Sequence, residues 1–193
     1  MIAMHPKEIK GAWDQGYVLD VHTISSTMIG YNEFGHPEFD TLRSELGEMV
    51  YRLKYKADKG VIAPVVEAVG AFVKNWGIHP DAVVPMPPSK QRSFQPVAEI
   101  AGELARSMNL PLHTDSLRKI KATQQMKDVG DFGARVTALE AAFVSDEALA
   151  GKAVLLFDDL FQSGATMNVA ARTLKGQGRV KSVYALALTR TRN

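Results

Sequence analysis

Two adjacent carboxylates, Asp158 and Asp159, follow a run of four apolar residues, Val154-Leu-Leu-Phe. After Leu160 and Phe161 come Gln162, Ser163, Gly164, Ala165 and Thr166, and then a stretch with helical periodicity. Burying either carboxylate unpaired is costly, so both must meet solvent, a cation or hydrogen-bond donors. The small residues of the turn let backbone N–H groups approach a ligand closely, and a helix N-terminus adds about half a positive charge there. Ser163 and Thr166 can add hydroxyl donors. One strand end therefore offers carboxylates suited to sugar hydroxyls or Mg²⁺ beside a cradle suited to phosphate. A sugar phosphate satisfies both halves. Taken singly, Ser163 or Thr166 reads as a helix cap and the aspartates as a solvated turn. Taken together, after a buried strand, the string reads as a site.

Two other segments carry candidate charges. Residues 85–93 follow a short apolar strand, 81–86, and hold Ser89, Lys90 and Arg92 beside Pro87 and Pro88, which cannot extend a sheet. Residues 116–137 have charge, glutamine and glycine with weak periodicity, which predicts a mobile excursion. It contains Arg118, Lys119, Lys121, Lys127 and Arg135, with Gly130 and Gly133 as hinges. The basic cluster at 51–56 reads as an amphipathic helix end whose lysines point to solvent, with a dimer or nucleic-acid contact as the alternative. The five histidines are scattered without ligand spacing, so none of them is assigned to a metal.

The elements that position these residues follow from periodicity. Residues 17–24 alternate loosely as a strand, and Gly30, Gly35 and Pro37 break the chain beyond it. Leu42, Leu46, Met49, Val50 and Leu53 predict a helix over 43–55, and Ile62 to Trp76 predicts a second one closed by Gly77. Beyond residue 80, strands alternate with helices. These are a helix from Phe94 to Met108, a short strand at 110–113, a buried strand at 153–157, a helix from Met167 to Leu174 and a last strand at 180–188. The expected fold is a single α/β domain over 1–193, with a mostly parallel central sheet and helices on both faces. Ligands in such sheets bind at the carboxyl ends of strands, which selects the loops after Met86 and Phe157.

Composition narrows the classes. With 193 residues and 46% apolar content, one sizeable core is expected. The net charge of +2 does not by itself announce a nucleic-acid binder. There is no cysteine, which removes disulfides, thiolate metal sites and cysteine nucleophiles. Charges interrupt the first sixteen residues, and no stretch approaches the ~18 apolar residues of a membrane span. A soluble cytoplasmic protein with no membrane partner is the expectation. Neither a G-x-G-x-x-G turn nor a G-x-x-x-x-G-K loop is present, which disfavours those nucleotide folds. A phosphoacceptor pair in another open α/β fold would sit near the chain start, and the Ser-Gly-Ala-Thr run would serve no purpose there.

The string 154–166 resembles the ribose-5-phosphate-binding motif of type I phosphoribosyltransferases, with one departure: Gln162 stands where that family usually has Thr or Ser. Within the superfamily the likeness is to the ComF-like group. It rests on Arg52-Leu-Lys54-Tyr55-Lys56, Val84-Pro85-Met86-Pro87 with Arg92-Ser-Phe94-Gln95, Lys121-Ala-Thr123-Gln124-Gln125, Arg135 and Ala142-Phe143. The resemblance implies a core over 41–193 and a small N-terminal hood over 1–40. It also implies 5-phosphoribosyl-1-pyrophosphate as substrate, with Mg²⁺, and transfer of the phosphoribosyl group to a nitrogen acceptor with release of pyrophosphate. Asp158 and Asp159 would then hold the ribose and stabilise the transition state, and residues 162–166 would cradle the 5-phosphate. Ser89, Lys90 and Arg92 would meet pyrophosphate, and Lys119, Lys121, Lys127 and Arg135 would lie on a closing loop. A homodimer is common among relatives. The alternative is a non-catalytic accessory protein of DNA uptake and competence that binds nucleotide, single-stranded DNA or a protein partner. The N-terminal cysteine pairs of many ComF proteins are absent.

Overall fold

The computed structural model describes residues 2–88, 94–120 and 142–192. Its centre is a five-stranded sheet. β1 (Lys7–Glu8) lies antiparallel on β2 (Gln15–Val21), and β2 runs parallel to β9 (Ser182–Arg190). Strand β9 is parallel to β8 (Ala153–Phe161), and β8 to β5 (Ala82–Pro85). The sheet is mostly parallel, and both of its faces are covered.

Alternation along the strands sets the two layers. Leu155 and Phe157 of β8, with Val83, Leu186 and Leu188, face α1 (Glu45–Lys56), α2 (Ile62–Trp76) and α3 (Pro96–Ser107). Val154 and Leu156, with Val84, Val183, Ala185 and Ala187, face the fourth helix, α4 (Ala165–Gly176). Phe143 of β7 (Phe143–Ser145) and Leu117 of β6 (Leu117–Lys119) pack on the α4 side, where β6 and β7 form a small antiparallel pair. Adjacent residues of β8 thus point into opposite layers, as a period of two demands.

Helix α1 starts where Ser44 accepts from Gly47 N at 2.9 Å. Leu46, Val50 and Leu53 then recur on its buried face. The helix expected from residue 43 therefore begins at Glu45, and Leu42, expected on its apolar face, lies instead in β4 (Pro37–Arg43) with 58% exposure. The Ser44 cap overrides the apolar period at that point. The second helix ends as expected, with Gly77 left-handed at φ 76°.

The N-terminal segment divides in two. Residues 7–21 supply β1 and β2 to the main sheet, whereas β3 (Thr23–Tyr31) pairs with β4 as a separate antiparallel hairpin. Glycines 30 and 35, read as breakers, lie at an irregularity of β3 and in the hairpin turn. The strand expected at 110–113 reduces to one parallel bridge between Val83 and Leu112. Among the described residues no helix is long and apolar enough to cross a membrane.

Candidate active site

Strand β8 runs four residues past the expected boundary at Phe157. Its pairing with β5 stops at Pro85↔Phe157, but its pairing with β9 continues through Phe161↔Arg190. Asp158 and Asp159 therefore sit inside a strand, at the point where the neighbour on one side has ended. The chain after β5, through Met86, Pro87 and Pro88, passes this free edge, with Met86 N donating to Phe157 O at 2.8 Å.

Strand alternation sends the two carboxylates to opposite layers. Asp159 is 5% exposed and points toward α1, where its Oδ2 meets the Lys54 ammonium at 2.7 Å and no other donor among the described residues. The Asp159 carbonyl accepts from Thr189 Oγ1 at 2.9 Å. That hydroxyl is 3.2 Å from His22 Nδ1, so the Nδ1–H donates to it. Burial lowers the His22 pKa, and the nearby charges of Lys54 and Arg43 lower it further. Asp158 is half-buried on the other face, and its Oδ1 accepts from Asp159 N at 2.8 Å. Its pKa is pushed up to about 7, first by desolvation and then by the charge of Asp159.

The turn after β8 leads into α4 through Gly164, which is left-handed at φ 74°. A Cβ there would lie 2.7 Å from Phe161 Cζ. The N-cap residue Gly164 has no side chain to cap α4, and Ser163 Oγ accepts a long hydrogen bond from Ala165 N at 3.4 Å. The start of the helix thus lies at the wall of the cleft, with Ser163 holding the first of its four free N–H groups. Asn168 braces the turn, donating to Gly164 O at 3.0 Å and accepting from Ala12 N at 2.7 Å.

One cleft of about 760 Å³ collects these parts. Asp158, Asp159, Gln162, Ser163, Gly164, Ala165 and Thr166 all line it, as do Pro85 to Pro88 and the cations Lys54, Arg118 and Lys119. The two halves expected from sequence therefore share one cavity. Lys119, expected on the loop, lies instead in β6, paired with Phe143, and burial lowers its pKa. Ser89, Lys90, Arg92, Lys121, Lys127 and Arg135 lie outside the described residues.

The expectation that the lysines of 51–56 point to solvent fails at Lys54. It stands four residues after Val50 and eight after Leu46, on the edge of the buried face, and that spacing is the signal that marks it. Lys56 does lie outside, 5.6 Å from the Tyr51 ring. Arg118, expected only as part of the basic excursion, is a second cation brought to the cleft.

No family model matches the chain. Competence protein ComFC of Bacillus subtilis (strain 168) is 26% identical over 159 residues, which is 78% of this chain and 62% of that protein. The chain is ComF-like. It spans less than two thirds of that relative's length. Among solved structures, adenine phosphoribosyltransferase from Saccharomyces cerevisiae aligns at 15% identity with a TM-score of 0.47, covering 86% of this chain and 85% of that one. A hypoxanthine phosphoribosyltransferase from Staphylococcus aureus aligns at 16% identity with a TM-score of 0.42, covering 67% and 62%.

Proposed function

We propose that this ComF-like chain binds 5-phosphoribosyl-1-pyrophosphate in the 760 Å³ cleft and transfers its phosphoribosyl group to a nitrogen acceptor in the cytoplasm, releasing pyrophosphate. The observation that carries this reading is the meeting of Asp158 and Asp159 with the start of α4 in one cavity. The carboxylates accept from ribose hydroxyls, and the N–H groups after Gly164 donate to the 5-phosphate. Lys54, Arg118 and Lys119 offset the charge of the pyrophosphate end. Fixing the sugar by both ends holds C1 in place for attack, which is where most of the rate gain of such a displacement arises. The acid pair also stabilises positive charge developing on the ribose ring.

Mg²⁺ fits the cleft as a companion of the ligand. An octahedral shell cannot be completed by two carboxylates, one of them held by Lys54, so phosphate and ribose oxygens would supply most of it. Bound in that way, the ion would neutralise departing pyrophosphate. Asp158, tuned near neutrality, is the group here suited to hold or pass a proton at the acceptor nitrogen.

Calorimetric titration of phosphoribosyl pyrophosphate with and without Mg²⁺ tests the binding. Saturable binding is expected, weakened by Asp158→Asn about 10- to 100-fold through loss of a charged hydrogen bond. No binding at millimolar ligand with Mg²⁺ would remove the reading. The name of the Bacillus relative favours a second one, an accessory role in competence through a nucleotide, single-stranded DNA or a protein partner. Pyrophosphate release with any member of a panel of purine, pyrimidine and amine acceptors selects the transferase; binding without release selects the accessory role.

A further inference from the structure

Asn168 stands near the start of α4, one turn after its N-cap Gly164. Asparagine forms helices poorly, so its place there calls for bonds that offset the cost. It makes two. Its Oδ1 accepts from Ala12 N at 2.7 Å, and its Nδ2 donates to Gly164 O at 3.0 Å. A backbone N–H only donates and a carbonyl only accepts, so the two partners fix which way the amide faces. Aspartate would lack the donor, and leucine would lack both groups. The Gly164 carbonyl also accepts from Asn168 N at 2.8 Å, so two donors of one residue hold it.

The segment that Asn168 reaches is itself well anchored. Trp13 is 6% exposed, and its Nε1 donates to Ile9 O at 2.9 Å. Its ring meets that of Phe161 edge to face, with centroids 6.2 Å apart. A Cβ on Gly11 or Gly16 would strike the same indole. Asp14 N donates to Val183 O at 2.9 Å, and Asp14 Oδ2 accepts from Val183 N at 2.7 Å. The same carboxylate pairs with Lys175, in the last turn of α4, at 2.9 Å. Residues 9–14 are therefore tied to β9, to both ends of α4 and to the turn that carries Phe161.

We propose that Asn168 is a positioning residue for the 5-phosphate, aiming the Ala165 N–H by clamping the Gly164–Ala165 peptide against residues 9–14. This rests on the reading that the start of α4 receives that phosphate. A peptide unit is planar, with its C=O and N–H pointing opposite ways, so fixing the Gly164 carbonyl fixes the Ala165 N–H. Gly164 and Ala165 line the cleft, whereas Asn168 and Ala12 do not, so Asn168 acts through the backbone. The bond from Ala165 N to Ser163 Oγ, at 3.4 Å, is longer than the ordinary range. A phosphate oxygen, as a charged acceptor, can displace it.

Calorimetric titration of ribose 5-phosphate and of pyrophosphate with Mg²⁺ into the full chain tests this. Asn168→Ala should bind ribose 5-phosphate about tenfold more weakly than the wild type. Its pyrophosphate affinity should stay at the wild-type level, because Lys54, Arg118 and Lys119 are untouched. Asn168→Asp guards against a variant that fails to fold. It keeps the acceptor for Ala12 N and adds a negative charge near a helix N-terminus, where charge of that sign is favourable. It should show wild-type circular dichroism yet lose ribose 5-phosphate affinity, and the loss should persist in 1 M salt, where the screening length is about 3 Å. Equal affinity of the wild type and both variants for ribose 5-phosphate overturns the role of Asn168 and leaves the reading of the cleft standing. An equal loss for both ligands also overturns it, since the damage is then general. A wild type that binds no ribose 5-phosphate removes the phosphate cradle itself, and the role with it.

Discussion

Replacing Lys54 by methionine keeps the length of the side chain and removes its charge. The ammonium lies 2.7 Å from Asp159 Oδ2, with the two side chains 21% and 7% exposed. At an effective dielectric of about 20 the gross attraction at that distance is ~6 kcal/mol, a ceiling before desolvation is subtracted. Breaking one side of a buried pair costs about 3–5 kcal/mol, because the remaining charge is left uncompensated. For a chain of this size each kcal/mol moves the melting temperature by roughly 2–4 °C, so Lys54→Met should melt about 10 °C lower at pH 8. The deficit should shrink at pH 5.5. Asp158, already raised to about 7, is then protonated, and the unpaired site loses half of its negative charge. Asp159→Asn in the Lys54→Met background should restore much of the loss. Thermal unfolding of the wild type, both single variants and the double variant, followed by circular dichroism, gives the coupling energy. A melting point within 2 °C of wild type at pH 8, or simple addition of the two single effects, would refute the ion pair as a structural element.

The raised Asp158 pKa has a definite sign. A carboxyl that ionises near 7 when folded and near 3.8 when unfolded binds more proton in the native state between those values. Ligand-free stability should therefore fall as pH rises from about 4 to 7 and stay low above 7, by a few kcal/mol in all. Asp158→Asn should flatten that slope and raise the melting temperature at pH 8, while weakening ligand; an unchanged slope would show that Asp158 does not titrate there. Gly164→Val places a branched side chain at φ 74° and 2.7 Å from Phe161. It should lower stability by about 1–3 kcal/mol and abolish ribose 5-phosphate binding, and normal binding would put the phosphate elsewhere.

The sequence exposes the site through composition and order, and hides it where contacts are long-range. A buried run, two acids and a small-residue turn are consecutive in the chain, so most of the wall of the cleft is readable as one segment, 154–166. The layers of the sheet are equally readable, because apolar continuity in β8 signals a strand covered on both faces. Periodicity misplaces Lys54 because a lysine at the edge of a helical face has two destinations, and the carboxylate that decides between them lies 105 residues away. The true length of β8 depends on β9, which continues to pair after β5 has ended; nothing local in Asp158 to Phe161 announces it. The hairpin escapes a sequence reading because Ser, Thr and Gly between apolar residues look like broken chain, and among the described residues its two strands pair only with each other.

Strand β2, near the start of the chain, is hydrogen-bonded to β9, near the end, from Gln15↔Tyr184 to Val21↔Arg190. During synthesis β2 must wait for some 160 residues to leave the ribosome before its neighbour exists. Since Thr189 of β9 also secures the Asp159 carbonyl, the acidic pair is not locked in place until β9 has been made. A pairing of such sequence separation forms late and slows folding, so a nascent chain that stops short of β9 lacks the support that holds the acidic pair.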